Sequence, residues 1–189
     1  MQADKVPVII ESSLTNGGKR TIVEAELAVG ASAPTHYHLD FTEAFTLLSG
    51  SMTVWTSDDL VEENLKPIEL EIGKEVAVTP KVLHKFLVNE HARVRCIFTP
   101  GTLGFEKMIL IMRGTQKDGI FDQFSSPESE KGAMFYTILG ELTNSLLVGE
   151  AQTRLEGFQA AKGGEIEATK KDLIAKYASD EHLKKAAGL

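Results

Sequence analysis

The chain has 189 residues, 42% of them hydrophobic and 25% charged, with a formal net charge of -7. This is the composition of a soluble globular protein, either one domain with an extension or one large domain. The acidic balance speaks against a nucleic-acid surface, and the lack of any apolar run of about 18 residues speaks against a membrane span. MQADKVPVIIE lacks the basic region and apolar core of a signal peptide, and the single Cys96 has no internal partner for a disulfide. The expected compartment is the cytoplasm.

From Val6 to about Met112 the texture is β-like. TIVEAELAV, EAFTLLSG, SMTVWT, KPIELEI, KEVAVT, KFLVN and RVRCIF are short runs rich in Val, Ile, Thr and Phe. Turn formers separate many of them: Asn16-Gly17-Gly18, Gly30, Ser49-Gly50, Gly73 and Thr99-Pro100-Gly101. Asn16-Gly17-Gly18 reads as a hairpin turn. Ser57 to Lys66 is acidic and reads as an exposed excursion between strands, and Asn89-Glu90-His91 reads as a further turn. Strands at this spacing predict an antiparallel barrel or sandwich.

After Met112 the pattern changes. DGIFDQFSSPESEKG is loop-like with a short helical turn. Phe135, Ile138, Leu139, Leu142 and Leu146 then fall at helical spacing and predict an apolar helix face. A last helix is expected from about Ala168 to Ala186, with a partial stripe of Leu173, Ile174, Tyr177 and Ala178. The predicted organisation is an all-β core over 1–114 and a mainly helical extension over 115–189.

The segment that carries chemistry is GASAPTHYHLDFTEAFTLLSG, Gly30 to Gly50. On a strand, residues two apart share a face, so His36 and His38 project together, and Pro34 favours an extended entry. Leu39 to Thr42 can turn the chain, and a second strand beginning near Glu43 brings that carboxylate beside the imidazoles. Along it, Glu43, Phe45 and Leu47 share the inner face. Two imidazoles and a carboxylate at this reach suit a divalent transition metal. Further on, in GKEVAVTPKVLHKFLVN, strand alternation puts His84, Phe86 and Val88 on one face. If the two hairpins lie side by side, His84 completes a set of three His and one Glu.

The first stretch, G-x5-H-x-H-x4-E-x6-G, resembles the first motif of the cupin superfamily at every position. The second, Gly73 through Thr79 and Lys81 to His84, resembles the second cupin motif, with Thr79 where the family has Pro and Lys81 where it has Gly. The family's trailing Asn would fall at Val88; here Asn89 stands one residue on. The resemblance implies a cupin-type double-stranded β-helix, a jelly-roll barrel with a helical C-terminal extension, and a divalent metal (Fe, Mn, Zn, Ni or Cu) held by His36, His38, Glu43 and His84. Phe41, Phe45, Leu47, Trp55 and Phe86 are the candidate walls of a pocket for a small organic ligand. The resemblance also implies a range of functions. Dioxygenase-type oxidation is the first expectation; a sugar or sugar-phosphate isomerase or epimerase, with Lys81 or Lys85 holding a phosphate, is the second; a non-enzymatic binding or sensor protein is the third. A homodimer formed through sheet edges is expected. No general base can be named: Tyr37 alternates away from the histidines, and Arg95 and Arg113 lie on strand-like segments of ambiguous facing.

Overall fold

The structure is a computed structural model that describes residues 6–121 and 128–189. The chain divides into two compact units, Met1–Thr102 and Leu103–Leu189. The reading of the first five residues, and of residues 122–127 within the loop-like passage, lies outside the described residues.

The described residues of the N-terminal unit form seven strands: β1 (Val8–Glu11), β2 (Thr21–Leu27), β3 (His36–His38), β4 (Thr42–Ser57), β5 (Lys66–Glu69), β6 (Glu75–Val78) and β7 (Leu83–Thr99). Every pairing among them is antiparallel. β7 pairs with β2, β3 and β4, and β4 pairs with β5, β6 and β7, so these two long strands are the spine of the unit. The acidic excursion after β4 is exposed and contains a single 3-10 turn, Glu62–Asn64.

Two sequence turns are not turns. Ser49-Gly50 and Asn89-Glu90-His91 lie inside β4 and β7, facing one another across the ladder. The register shifts three times there, between Leu47 and Met52 of β4. Extra residues of this kind bend a strand and increase its twist without ending it. Gly50 sits at the bend with φ +85°, and a Cβ there would overlap the His91 carbonyl oxygen and lie 2.7 Å from Ala92 Cα. Only glycine allows both that φ and so close an approach.

The bend has a large geometric effect. Thr56 pairs with His84, and Glu43 lies thirteen residues before Thr56 on β4. A straight strand would separate them by about 43 Å at about 3.3 Å per residue. The Glu43 carboxylate is nevertheless 3.3 Å from the His84 ring. The ladder is therefore folded over, with the first half of β4 facing the second half of the β4–β7 pair across a common interior.

That interior is apolar. Phe45, Leu47, Met52, Val54, Val88, Ala92 and Val94 form one buried cluster. On β4 its members are odd-numbered before the bend and even-numbered after it. On β7 they stay even-numbered, because three register shifts change parity on one strand only. Each fully buried large side chain of this set contributes about 1.5–3 kcal/mol.

The C-terminal unit contains α1 (Leu103–Lys117), α2 (Glu130–Thr143), the short β8 (Ser145–Leu147), α3 (Gly149–Tyr177) and α4 (Asp180–Ala186). The β-like texture predicted up to Met112 is a correction: residues from Leu103 are helical, and Ile111 packs in a core with Phe135 and Ala178. The run MILIM satisfies either period, and the helix-favouring residues around it decide. The predicted face on α2 is present, but Leu146 leaves it, because Asn144 adopts a left-handed conformation (φ 51°) that ends the helix. The last helix is two helices. α3 begins well before Ala168, and the Ser179 hydroxyl caps α4 by accepting from the His182 N–H. Gly157, Gly163 and Gly164 within α3 dilute its propensity and hid its start. Among the described residues no helix is long and apolar enough to cross a membrane.

Candidate metal centre

His36 and His38 lie on β3, Glu43 near the start of β4, and His84 near the start of β7. His36 and His84 are a directly paired couple across β3 and β7, which puts both side chains on one face of the sheet. His38, two residues on, shares that face. Glu43 reaches them from the opposite wall because of the bend. One candidate ligand atom from each of the four residues lies within 4.8 Å of the others. The imidazole centroids are 4.2 Å apart for His36 and His84, 4.8 Å for His36 and His38, and 5.0 Å for His38 and His84. His38, Glu43 and His84 are buried and His36 is partly exposed, so the cluster meets solvent on the His36 side.

Hydrogen bonds set the tautomers. His36 Nδ1 is 2.7 Å from the Pro34 carbonyl oxygen, and His84 Nδ1 is 3.0 Å from that of Val82. A carbonyl oxygen only accepts, so in both rings Nδ1 carries the hydrogen and the Nε2 lone pair is free. His84 Nε2 then faces the Glu43 carboxylate at 3.3 Å as one acceptor against another, with His38 Nε2 3.2 Å from the same oxygen. A cation among these atoms removes the mismatch, so the residues fit a metal. Burial, aided by the neighbouring imidazoles, pushes the His36 pKa down to about 3 and keeps that ring neutral. Burial opposes the charge on Glu43, and the contact from His38 at 3.2 Å is the first of those that hold its pKa below the usual carboxylate value. Three imidazoles and one carboxylate are thus an available donor set for an ion preferring nitrogen and oxygen.

The aromatic candidates divide. Phe41 is buried and packs on His38 at 4.2 Å and on Phe98 at 5.5 Å. Phe45 lies 6.5 Å from both His84 and Phe86, and Leu47 shares its cluster. Trp55 does not join them. It is odd-numbered beyond the bend, alternates with the core residue Val54, and carries the Lys85 ammonium 5.9 Å from its ring on the outer face. The sequence names it as a candidate wall residue; the register shifts between Leu47 and Met52 reset which parity faces the core. Phe98, fully buried, and Cys96, packed against the core and opposite Phe45, are inner residues that motif spacing did not single out. Burial, and then the Glu43 charge, push the Cys96 thiol pKa well up, so it stays protonated. Arg95 is held by Glu24 on the outer face, and Arg113 lies on α1.

No protein-family model matches the chain, and no curated protein matches it in sequence. Solved structures resemble it at low identity. KdgF from Halomonas sp. has a TM-score of 0.42 at 16% identity, over 50% of this chain and 76% of that one. An RmlC-like cupin protein from Desulfovibrio desulfuricans has 0.41 at 16%, over 51% and 82%. A cupin-2 domain protein from Shewanella frigidimarina has 0.40 at 18%, over 51% and 82%. The antiparallel strands and the four-residue cluster agree with the cupin-type barrel that the two motifs imply. Lys81 takes the positive φ (67°) of the turn position where the second cupin motif has Gly. Its N–H donates to the His38 carbonyl oxygen at 2.8 Å, tying the second motif to the first.

Proposed function

We propose that this protein binds one divalent transition metal through His36, His38, Glu43 and His84 and takes a small organic molecule into its barrel, with dioxygenase-type oxidation as its chemistry. The observation that carries the proposal is the convergence of three imidazoles and a carboxylate within 4.8 Å, in a core otherwise built of aliphatic and aromatic side chains. When bound, the ion supplies a Lewis-acid centre of net charge about +1 with open positions for exogenous oxygen ligands. The chain's own residues do the rest. The Pro34 and Val82 carbonyls orient the His36 and His84 rings, and Phe41 packs against His38. The apolar walls exclude water and so strengthen electrostatic contacts inside.

The sugar-phosphate alternative needs a cation at the cluster. Lys85 lies over Trp55 on the outer face and Lys81 is exposed in a turn, so no observation favours that reading. Val8 and Ile10, 44% and 55% exposed on the edge strand β1, support pairing of two copies through that edge. Light scattering at micromolar concentration tests that pairing, and a monomer mass removes it.

The deciding experiment is elemental analysis of protein purified without a metal-affinity tag, beside His38→Ala and His84→Ala, followed by oxygen uptake of the iron-loaded protein. About one ion per chain in the wild type and little in the variants is expected. Equal occupancy in all three refutes the ligand set.

A further inference from the structure

The three imidazoles of the cluster are not held in the same way. His36 and His84 face each other across β3 and β7, and each ring is set by a carbonyl oxygen at Nδ1, that of Pro34 and that of Val82. His38 stands at the far end of β3, and a hydrocarbon ring lies against its face. The Phe41 and His38 rings are 4.2 Å apart between centroids, with only 32° between their planes. Phe45, in contrast, is 6.5 Å from His84 and inclined at 63°.

Phe41 is itself fixed. It lies in the turn that joins two candidate ligands, three residues after His38 and two before Glu43, and it is 3% exposed. Its ring meets that of Phe98 edge-on, 5.5 Å away at 81°. Phe98 is fully buried and is the ladder partner of Glu43 on β7. His38, Phe41, Phe98 and Glu43 form a packed series that ties the ring of one candidate ligand to the strand position of another. Turning the His38 imidazole about its Cβ–Cγ bond sweeps the volume above and below the ring, and Phe41 fills that volume on one side. At the packing density of a protein interior the swing requires neighbouring rings to move as well. The plane of the ring decides where Nε2 points, and Nε2 now lies 3.2 Å from the Glu43 carboxylate. A coordinated imidazole is also positively polarised, and the electron-rich face of a phenyl ring favours such a neighbour. The contact is therefore stronger with an ion bound than without one.

We propose that Phe41 is a positioning residue for the metal: it holds the plane of the His38 ring and stabilises that ring when it is coordinated. The proposal rests on the metal reading above. The wild type, Phe41→Leu and Val94→Ala are each loaded with cobalt(II). Affinity is read by chelator competition, geometry by the visible absorption bands, and stability by the urea midpoint of the metal-free proteins. Leucine keeps an apolar side chain and removes the ring. Val94→Ala trims another buried side chain, one whose ladder partners are Ala25 and Leu47. Phe41→Leu should bind cobalt about two- to tenfold more weakly, with shifted bands, as for loss of one aromatic pair. Val94→Ala should lower the urea midpoint and keep the affinity and bands of the wild type. Wild-type affinity and bands in Phe41→Leu overturn the proposal. Val94→Ala weakening and shifting them as much as Phe41→Leu does also overturns it, because the effect is then a general loosening of the core. A wild type that takes up no cobalt overturns the metal reading and this proposal with it, whereas one that binds cobalt and is indifferent to residue 41 overturns this proposal alone.

Discussion

Replacing Gly50 by alanine tests the folded-over ladder. The substitution has two costs. An L-residue at φ +85° loses about 1–2 kcal/mol. The new Cβ also falls on the His91 carbonyl and 2.7 Å from Ala92 Cα, both backbone, so relief requires moving β7; overpacking of this kind costs about 1–3 kcal/mol. The sum, about 2–5 kcal/mol, is a large share of the 5–15 kcal/mol typical of a folded domain. Urea unfolding of metal-free protein measures it: at a slope of about 1–3 kcal/mol/M, a loss of 3 kcal/mol lowers the midpoint by about 1–3 M. Gly73→Ala is the control, because its φ is +80° but nothing lies within 4 Å of a Cβ there, so only the conformational cost applies. The bend also sets the distance from Glu43 to His84, so cobalt affinity should fall in Gly50→Ala and hold in Gly73→Ala. Equal midpoints for the two variants would refute the argument that the bend is held by backbone contact.

Other expectations concern the cluster and its turn. Glu43→Gln keeps the shape but removes the only charge in the donor set, and should weaken metal affinity by at least about tenfold in a chelator-competition titration. His36 is held neutral in the fold with its pKa near 3 against an ordinary 6.5, so the unfolded chain binds the extra proton first as pH falls. Stability of the metal-free protein should therefore be unaffected by this group above pH 6.5 and decline as pH falls from there toward 3. Glu43, whose folded pKa is lowered, adds a loss in the same direction below its ordinary 4.5. A melting temperature unchanged between pH 7 and 5 contradicts the His36 assignment. Lys81→Gly relieves a positive φ worth about 1–2 kcal/mol at a cost of about 0.5–1 kcal/mol in chain entropy, so a small gain in the denaturation midpoint is expected, and a loss above 1 kcal/mol is not.

The cluster was legible because its grouping is local in kind. His36 and His38 are two apart on one strand, Glu43 follows a short turn, and His84 carries the same strand logic in a second hairpin. Lys81 at a glycine position was legible as a departure and takes the backbone conformation that glycine would. What did not survive was alternation across long distances. Spacing counted from Glu43 fails beyond Gly50, because the bulges reset which parity faces inward; that sent Trp55 out. Ser49-Gly50 and Asn89-Glu90-His91 have turn composition, and only their partner across the ladder shows that they bend a strand and do not end it. In the C-terminal unit, the short apolar run of α1 fits either period, and the glycines of α3 obscure a helix whose polar faces carry little periodicity.

The position of β7 constrains the order of events during synthesis. Residues 83–99 supply ladder partners to β2, β3 and β4, and the last of the four cluster residues with them. A nascent chain that has emerged only as far as β6 can close hairpins such as β1–β2 and β4–β5, but it has no wall to place opposite Glu43. Assembly of the barrel must await a strand translated well after its partners, so its contacts are mostly non-local and its folding slow relative to the helical unit that follows. Until then Phe45, Leu47 and Val54 have no inner surface to cover them, and that interval is when the chain is most exposed to aggregation.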